Sequence, residues 1–169
     1  MYWTEILQAA ENCGAILTRK GLTIATAESC TGGGIAYALT EIAGSSAYFT
    51  QSWVTYSNLA KENCLGVAAD TLDKYGAVSE QVVAEMAAGV LKNAGADIAV
   101  TTSGIAGPGG ATETKPVGLV HFAWQIKGQD VLCEHKVFAG DRTAVRQQAI
   151  LYALSKIEVL LEKNFQQKT

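Results

Sequence analysis

The sequence has little charge and very little proline. Only 17% of its 169 residues are charged, with 13 Lys and Arg against 16 Asp and Glu, and the formal net charge is −3. Proteins that bind nucleic acid through its phosphates usually present a basic face. The sequence contains no cluster of Lys and Arg that predicts such a face, so we expect no nucleic-acid partner.

Long hydrophobic runs are absent too. No apolar stretch reaches the roughly 20 residues that a transmembrane helix needs, so we expect no membrane partner. The first residues, Met1–Glu5, are not basic and do not lead into an uninterrupted apolar segment, which argues against a secretory signal peptide. The cytoplasm is therefore the predicted location.

The usual spacings of metal ligands are missing. The four cysteines are far apart and form no C-x-x-C pair, and the two histidines do not complete a metal-binding pattern. We expect no metal and no cofactor, and we interpret the thiols as reduced and mostly buried. The histidines fall on predicted strands and are interpreted as structural. These residues are Cys13, Cys30, Cys64, Cys133, His121 and His135.

The overall composition, with 49% hydrophobic residues, is typical of a globular protein, and the length predicts a single domain over residues 1–169. Helical and strand patterns alternate, and one β-hairpin interrupts the alternation. The predicted fold class is therefore α/β: a three-layer sandwich with a mixed, mostly parallel sheet and helices on both faces. Helices are predicted at 3–20, 31–42, 60–65, 71–75, from 79 to 94 and from 141 onward, strands at 23–27, 48–56, 97–102, 117–126 and 131–138, and a frayed tail from 165. Asp70 and Ser79 are the predicted N-caps of the fourth and fifth helices.

A hydroxyl, Ser29, follows the first predicted strand directly and precedes the three glycines 32–34 and a helix. Open α/β sheets bind ligands where a strand ends and a helix begins. The free N–H groups of a helix start can hold an anion or a developing oxyanion. The pattern indicates a serine nucleophile, although an ordinary Gly-rich turn with Ser29 as a helix cap fits it equally well.

A serine nucleophile needs a base, and Lys61 is the candidate. With Asn58 as the predicted N-cap, Lys61 falls in the first turn of a short helix. The positive end of a helix disfavours a cation by roughly 0.3–1 kcal/mol, which together with burial lowers the pKa of the amine. Tyr56 ends the preceding strand and is placed to relay a proton. The alternative is a solvated lysine and a boundary tyrosine.

A second Gly-rich loop, residues 104–110, follows another predicted strand that ends in Ser103. Such glycines allow close approach of a ligand and expose backbone N–H groups. The loop has neither the Walker A pattern nor G-x-G-x-x-G. Further on, Arg142 follows the predicted N-cap Asp141, where it can bind a phosphate. The alternatives are a plain surface loop and an ion pair of Arg142 with Asp141 or Glu113.

Taken together, six segments in this order resemble the CinA C-terminal domain family. The resemblance implies a three-layer α/β fold and hydrolysis of the nicotinamide mononucleotide carboxamide to nicotinate mononucleotide and ammonia. It also implies Ser29 as nucleophile, Lys61 as base, Tyr56 as assisting phenol and Arg142 as a substrate contact, with Arg146 one turn further on as the alternative. The segments are 27–33, 55–61, 75–79, 103–110, 115–118 and 140–142.

The resulting hypothesis is a Ser-Lys amidohydrolase, assisted by Tyr56, in the recycling of pyridine nucleotides. Backbone groups at Thr31, Gly32 and Gly33 would hold the oxyanion, and Ser103 and Gly104 would join Arg142 in binding the substrate. The sequence lacks the N-terminal domain of longer family members, which favours the stand-alone enzyme.

Two other functions stay open at this point: a non-catalytic module that binds a nucleotide phosphate, and a Ser-Lys amidase acting on another small amide. A short-chain dehydrogenase is disfavoured, because its Tyr-x-x-x-Lys spacing is one residue shorter than the spacing between Tyr56 and Lys61. The expected partner is a small-molecule substrate, and a homodimer is the assembly considered.

Overall fold

Five strands and six α-helices form within residues 1–166, the part of the chain that the computed structural model describes. Side chains are described up to Lys163. The predicted frayed tail falls largely beyond this part: α6 continues to Gln166, and residues 167–169 lie outside the described residues. The elements are α1 Trp3–Lys20, β1 Ile24–Glu28, α2 Gly34–Thr40, β2 Phe49–Val54, α3 Asn58–Leu65, α4 Ala69–Tyr75, α5 Glu80–Ala94, β3 Ile98–Gly104, β4 Leu119–Ile126, β5 Leu132–Val137 and α6 Arg142–Gln166.

The strands form one sheet in the order β2-β1-β3-β4-β5. Strand β1 runs parallel to both of its neighbours, and β4 runs antiparallel to both of its own. Strand β5 therefore points in the same direction as β1, β2 and β3, and only β4 of the described strands is reversed. This arrangement confirms the predicted mixed, mostly parallel sheet, with β4 and β5 as the predicted hairpin.

Helices cover both faces of the sheet, which confirms the three-layer prediction. On one face α2 and α6 contact the sheet, with α6 against the large side chains Phe122 and Trp124 of β4, and α1 packs on these two helices. On the other face α5 packs against small residues such as Ala25, Ala99 and Ala123, and α3 and α4 pack against α5. Burying one large aliphatic side chain contributes roughly 1.5–3 kcal/mol, so each face holds its own helices against the sheet.

Helices α3 and α5 make a close backbone contact at Gly89. A Cβ atom added there would lie 2.1 Å from the carbonyl oxygen of Leu65, the last residue of α3. Only glycine allows this approach. The contact matters for the site because α3 carries Lys61, and α5 in turn packs against the sheet.

Two predicted caps differ from those in the structure. Helix α3 is capped by Ser57, whose Oγ accepts from the N–H of Ala60 at 3.0 Å, and not by Asn58. Asp70 does not cap α4: the N-cap is Ala68, which makes no side-chain cap bond, and the N–H of Ala68 donates to Glu85 of α5 at 2.9 Å. The first prediction is wrong by one residue, and the second is wrong because α4 begins before Asp70, which lies in its first turn.

The helix predicted from residue 31 begins only at Gly34. Residues 30–33 form a turn in which Gly32 and Gly33 have φ of 61° and 91°. Side chains rarely adopt such backbone angles, so the glycines allow the chain to reverse before the helix starts. The turn leaves Ser29 at the carboxyl end of β1, at the edge of the sheet where the site lies.

Candidate active site

Ser29 lies directly after β1, held by the backbone on both sides. Its N–H donates to the carbonyl of Thr102 at 3.1 Å, and its carbonyl accepts from the N–H of Gly32 at 3.0 Å. The side chain is 8% exposed and lines a cleft. The strand end and the tight turn therefore fix the hydroxyl while leaving it open to a ligand.

Lys61 brings its amine to the same hydroxyl. Its Nζ lies 3.2 Å from Ser29 Oγ and donates to the carbonyl of Thr55 at 2.7 Å, and the side chain is only 1% exposed. Lys61 forms no ion pair with any residue that the structure describes. Burial lowers the pKa of Lys61 below its usual 10.5, and the nearby Cys30 thiol opposes this weakly. A buried amine without a carboxylate partner favours the neutral form, which can accept a proton.

Cys30 and the histidines are poor candidates for nucleophilic chemistry. Cys30 borders the cleft but packs against the core, and burial raises the pKa of its thiol to about 12, so the thiol stays protonated. His121 and His135 face each other across β4 and β5 with ring centroids 5.1 Å apart, and neither lines the cleft. Burial lowers the pKa of His121 to about 4. The interpretation of Cys30 as a packed neighbour and of the histidines as strand residues is confirmed.

The cleft itself has a volume of about 250 Å³ and lies between the residues that follow β1 and the second Gly-rich loop. Ser29 and Lys61 form its buried part, and Ser103 and Gly104 of β3 line it as well. Ser103 is 1% exposed, and no residue of the described chain hydrogen-bonds its hydroxyl. With Tyr56 and Arg142, which also line it, the cleft brings together six of the predicted site residues.

Tyr56 and Arg142 lie at the exposed rim of this cleft. Arg142 donates from Nη1 to the carbonyl of Gly107 at 2.8 Å and from Nη2 to the Tyr56 hydroxyl at 3.0 Å. Tyr56 is 62% exposed, and its phenol contacts Arg142 rather than Ser29 or Lys61. The arginine therefore joins the second Gly-rich loop to the rim, where it is available to an anionic group.

Arg146, the alternative to Arg142, faces elsewhere. Its Nε donates to the carbonyl of Cys30 at 3.0 Å, and its Nη2 lies 3.4 Å from the carbonyl of Thr31. It lines a neighbouring pocket and not the cleft. Of the two arginines, Arg142 is the one that a ligand in the cleft can reach, and Arg146 supports the turn after Ser29.

Thr31, Gly32 and Gly33 are not brought into the cleft. They line the neighbouring pocket beside Arg146, and Thr31 is 1% exposed. The physical reason is the turn: the N–H of Gly32 already bonds to Ser29, and the first N–H groups of α2 bond to the carboxylate of Glu28. Of the residues in this turn, Cys30 lines the cleft, and its N–H group donates to no backbone carbonyl of the described chain.

Sequence reasoning assigned no role to Glu28, whose carboxylate is buried beside the site. A charged residue at the end of an otherwise apolar strand is the signal that marks it. No group of three or more His, Cys, Asp or Glu in the described residues is placed to hold a metal ion. None of the helices in residues 1–166 combines the length and apolar character needed to span a membrane.

Comparison with known proteins matches residues 6–161 to the model of the CinA C-terminal domain. Nicotinamide-nucleotide amidohydrolase PncC of Escherichia coli (strain K12) is 52% identical over 154 residues, which cover 91% of this chain and 93% of the relative. The protein of the same name from Enterobacter agglomerans is 58% identical over 141 residues, which cover 83% of this chain and 86% of the relative.

Among solved structures, the competence/damage inducible protein CihA from Agrobacterium tumefaciens aligns with a TM-score of 0.90 and 45% identity. The alignment covers 94% of this chain and 96% of that one. Family model, sequence relatives and fold agree with the resemblance that the motifs indicated. The chain belongs to the CinA C-terminal domain family.

Proposed function

We propose that this chain is an amidohydrolase that converts nicotinamide mononucleotide to nicotinate mononucleotide and ammonia. The single observation that carries the proposal is the buried Lys61 amine, 3.2 Å from Ser29 Oγ and without an ion-pair partner in the described chain. Relatives at 52% and 58% identity are named for this activity. The proposal treats residues 1–169 as one domain acting in the recycling of pyridine nucleotides.

In the first half-reaction, Lys61 acts as the general base. Its neutral amine accepts the proton of the Ser29 hydroxyl while Oγ attacks the carboxamide carbon. The new C–O bond places a negative charge on the carboxamide oxygen, which can accept a hydrogen bond from the N–H group of Cys30, a residue of the cleft lining. The ammonium of Lys61 then returns its proton to the departing nitrogen, the C–N bond breaks, and ammonia leaves the acyl-enzyme.

In the second half-reaction, water replaces the amine. Lys61 removes a proton from a water molecule, and the hydroxide attacks the acyl carbon. The bond to Ser29 Oγ breaks, Oγ regains a proton from Lys61, and nicotinate mononucleotide is released. Proton transfer is direct in this scheme, because the phenol of Tyr56 contacts Arg142 and not the dyad. In this scheme Tyr56 forms the rim of the cleft together with Arg142 and takes no part in proton transfer.

The substrate phosphate is assigned to the rim. Arg142 offers a permanent positive charge, and Gly107, Gly109 and Gly110 line the same cleft with unshielded backbone. Guanidinium groups bind phosphate through two parallel hydrogen bonds. This arrangement directs the carboxamide toward the buried Ser29 and leaves the phosphate at the exposed end of the cleft.

Ammonia release from nicotinamide mononucleotide tests the proposal. The wild type is expected to release ammonia, Ser29→Ala to lose this activity while still binding the substrate, and Ser155→Ala, which alters an exposed serine of α6, to behave as the wild type. Intact-mass measurement after rapid quenching is expected to find an acyl adduct on Ser29.

Two outcomes would replace this proposal with the alternatives. Binding of the mononucleotide without turnover by the wild type would indicate a non-catalytic phosphate-binding module. Turnover of other amides, but not of this one, would indicate a Ser-Lys amidase with a different substrate. The cytoplasmic location and the homodimer stay predictions, the latter open to light scattering on the purified protein.

A further inference from the structure

Glu28, the last residue of β1, buries its carboxylate completely beside the dyad. The side chain is 0% exposed and accepts four hydrogen bonds. Oε1 accepts from the Thr31 hydroxyl at 2.7 Å and the Ile35 N–H at 2.8 Å, and Oε2 accepts from the Ala36 N–H at 3.0 Å and the Thr26 hydroxyl at 3.4 Å. Such a buried charge is costly without donors, and here donors surround both oxygens.

These contacts connect the segments that carry the dyad. The carboxylate closes the amino end of α2 and holds Thr31, whose hydroxyl lies 2.9 Å from that of Thr102 on β3. The backbone carbonyl of Glu28 accepts from the N–H of Thr55 at 2.9 Å. The carbonyl of Thr55 in turn accepts from Lys61 Nζ. Glu28 is therefore linked to Ser29 by the chain and to Lys61 through one intervening residue.

The carboxylate does not take part in the chemistry itself. It lines no part of the cleft and makes no hydrogen bond to Ser29 or Lys61. It also occupies the N–H groups at the start of α2, which sequence reasoning had assigned to an external anion. The protein therefore uses that helix end for its own anion.

We infer that Glu28 is a positioning residue, whose carboxylate holds the turn after β1 so that Ser29 Oγ stays within hydrogen-bond distance of Lys61 Nζ. The catalytic meaning of this role rests on the proposed Ser-Lys function. The geometric statement stands apart from it and can be tested without any turnover.

The informative substitution is Glu28→Gln, which keeps the size of the side chain. Both carboxylate oxygens accept from a backbone N–H, Ile35 on one side and Ala36 on the other. Whichever way the amide is oriented, its NH₂ group faces one of these fixed donors. The carboxamide therefore cannot reproduce the four contacts, and the turn must shift.

The matched control is Asp97→Asn, at the opposite end of the same strands. Oδ2 of Asp97 accepts from the N–H and the hydroxyl of Thr23 at 2.8 Å and 3.1 Å, just before β1 and β3 begin. This substitution also replaces a hydrogen-bonded carboxylate by an amide, but far along the strands from Ser29. Comparing the melting temperatures of Asp97→Asn and Glu28→Gln shows whether a loss of stability alone explains the effect of the Glu28 substitution.

Crystal structures of both variants give the first measurement. We expect the distance from Ser29 Oγ to Lys61 Nζ to exceed 3.5 Å in Glu28→Gln and to stay near 3.2 Å in Asp97→Asn. An unchanged distance in Glu28→Gln overturns the inference. A lengthened distance in an enzyme whose wild type releases no ammonia supports the inference and refutes the proposed function.

Kinetics give the second measurement. Misplacement of a reacting group by about 1 Å can cost about 100-fold in rate, so kcat of Glu28→Gln is expected to fall about 100-fold while KM is unchanged. Equal losses in Asp97→Asn would indicate a merely structural role and overturn the inference. Thr31→Val serves as a milder variant that removes one of the four donors: a lower kcat at constant KM supports positioning, and a raised KM with unchanged kcat contradicts it.

Discussion

Replacing Lys61 by methionine separates its role as a base from its role in packing. Methionine has a similar length and no titratable group, so it fills the buried site without the amine. The cleft contains no histidine or carboxylate among its described lining residues, which leaves no other base for Ser29. General bases contribute about 10²- to 10⁴-fold, and we expect kcat of Lys61→Met to fall toward the upper end. A 10⁴-fold loss corresponds to about 5.5 kcal/mol of transition-state stabilisation.

The same substitution also changes how the free energy of unfolding depends on pH. The pKa of Lys61 in the folded protein lies below its usual 10.5, so between these two values the unfolded chain binds more protons than the folded one. The free energy of unfolding of the wild type therefore rises with pH across this window, by about 1.4 kcal/mol for each unit by which burial lowers the pKa. Lys61→Met is expected to lose this slope.

Lys61→Met stabilises the fold because it no longer buries an amine that can carry a charge. The variant also loses the hydrogen bond to the Thr55 carbonyl, which offsets part of this gain in stability. Leaving its buried carbonyl without a donor costs about 1–3 kcal/mol, so net stability near neutral pH changes little, and the slope is the sharper measurement. Urea unfolding at several pH values reports the slope, and ammonia release reports kcat. Lys92→Met, at an exposed position of α5, is the control. A kcat within tenfold of the wild type, or an unchanged slope, would refute the reasoning.

Three further predictions concern the rim, the thiol and the helix contact. Arg142→Ala is expected to raise KM by about 10- to 100-fold with little change in kcat, because a charge-assisted hydrogen bond contributes about 1.5–3 kcal/mol; steady-state kinetics that show only a lower kcat would contradict the rim assignment. Cys30→Ala is expected to keep turnover, since its pKa of about 12 leaves the thiol protonated, and loss of activity in a folded variant would count against this. Gly89→Ala is expected to destabilise the fold by about 1–3 kcal/mol, because its Cβ would meet the Leu65 carbonyl; an unchanged midpoint in urea unfolding would show that the contact relaxes freely.

The layers of the fold were predictable because hydrophobic periodicity reports which side of an element is buried. The hairpin between β4 and β5 and the helix caps at Ser79 and Asp141 follow from local sequence signals, and the structure has all of them. Contacts that a distant segment supplies were not predictable. Glu85 accepts from the N–H of Ala68, just before α4, only because α5 packs beside that helix.

The candidate site also has some features that follow from local sequence and others that depend on distant residues. Ser29 and Lys61 stand at a strand end and near a helix start, positions whose electrostatics can be derived from sequence, and the structure places them together. The directions of the peptides between Cys30 and Gly33 depend on a turn and on Arg146, which lies more than a hundred residues away. The roles expected for Thr31, Gly32 and Gly33 could not have been corrected from sequence for this reason.

The central claim is that burial makes the Lys61 amine easier to deprotonate, so that it can act as a base toward Ser29, and direct titration of the amine tests this. Lysine labelled with ¹³C at Cε reports the protonation of each Nζ by NMR, and comparison with Lys61→Met assigns the signal. The account predicts a midpoint below 10.5, the value usual for lysine, because burial disfavours the charged amine. A midpoint at or above 10.5 would show that burial does not favour the neutral amine and would contradict the account.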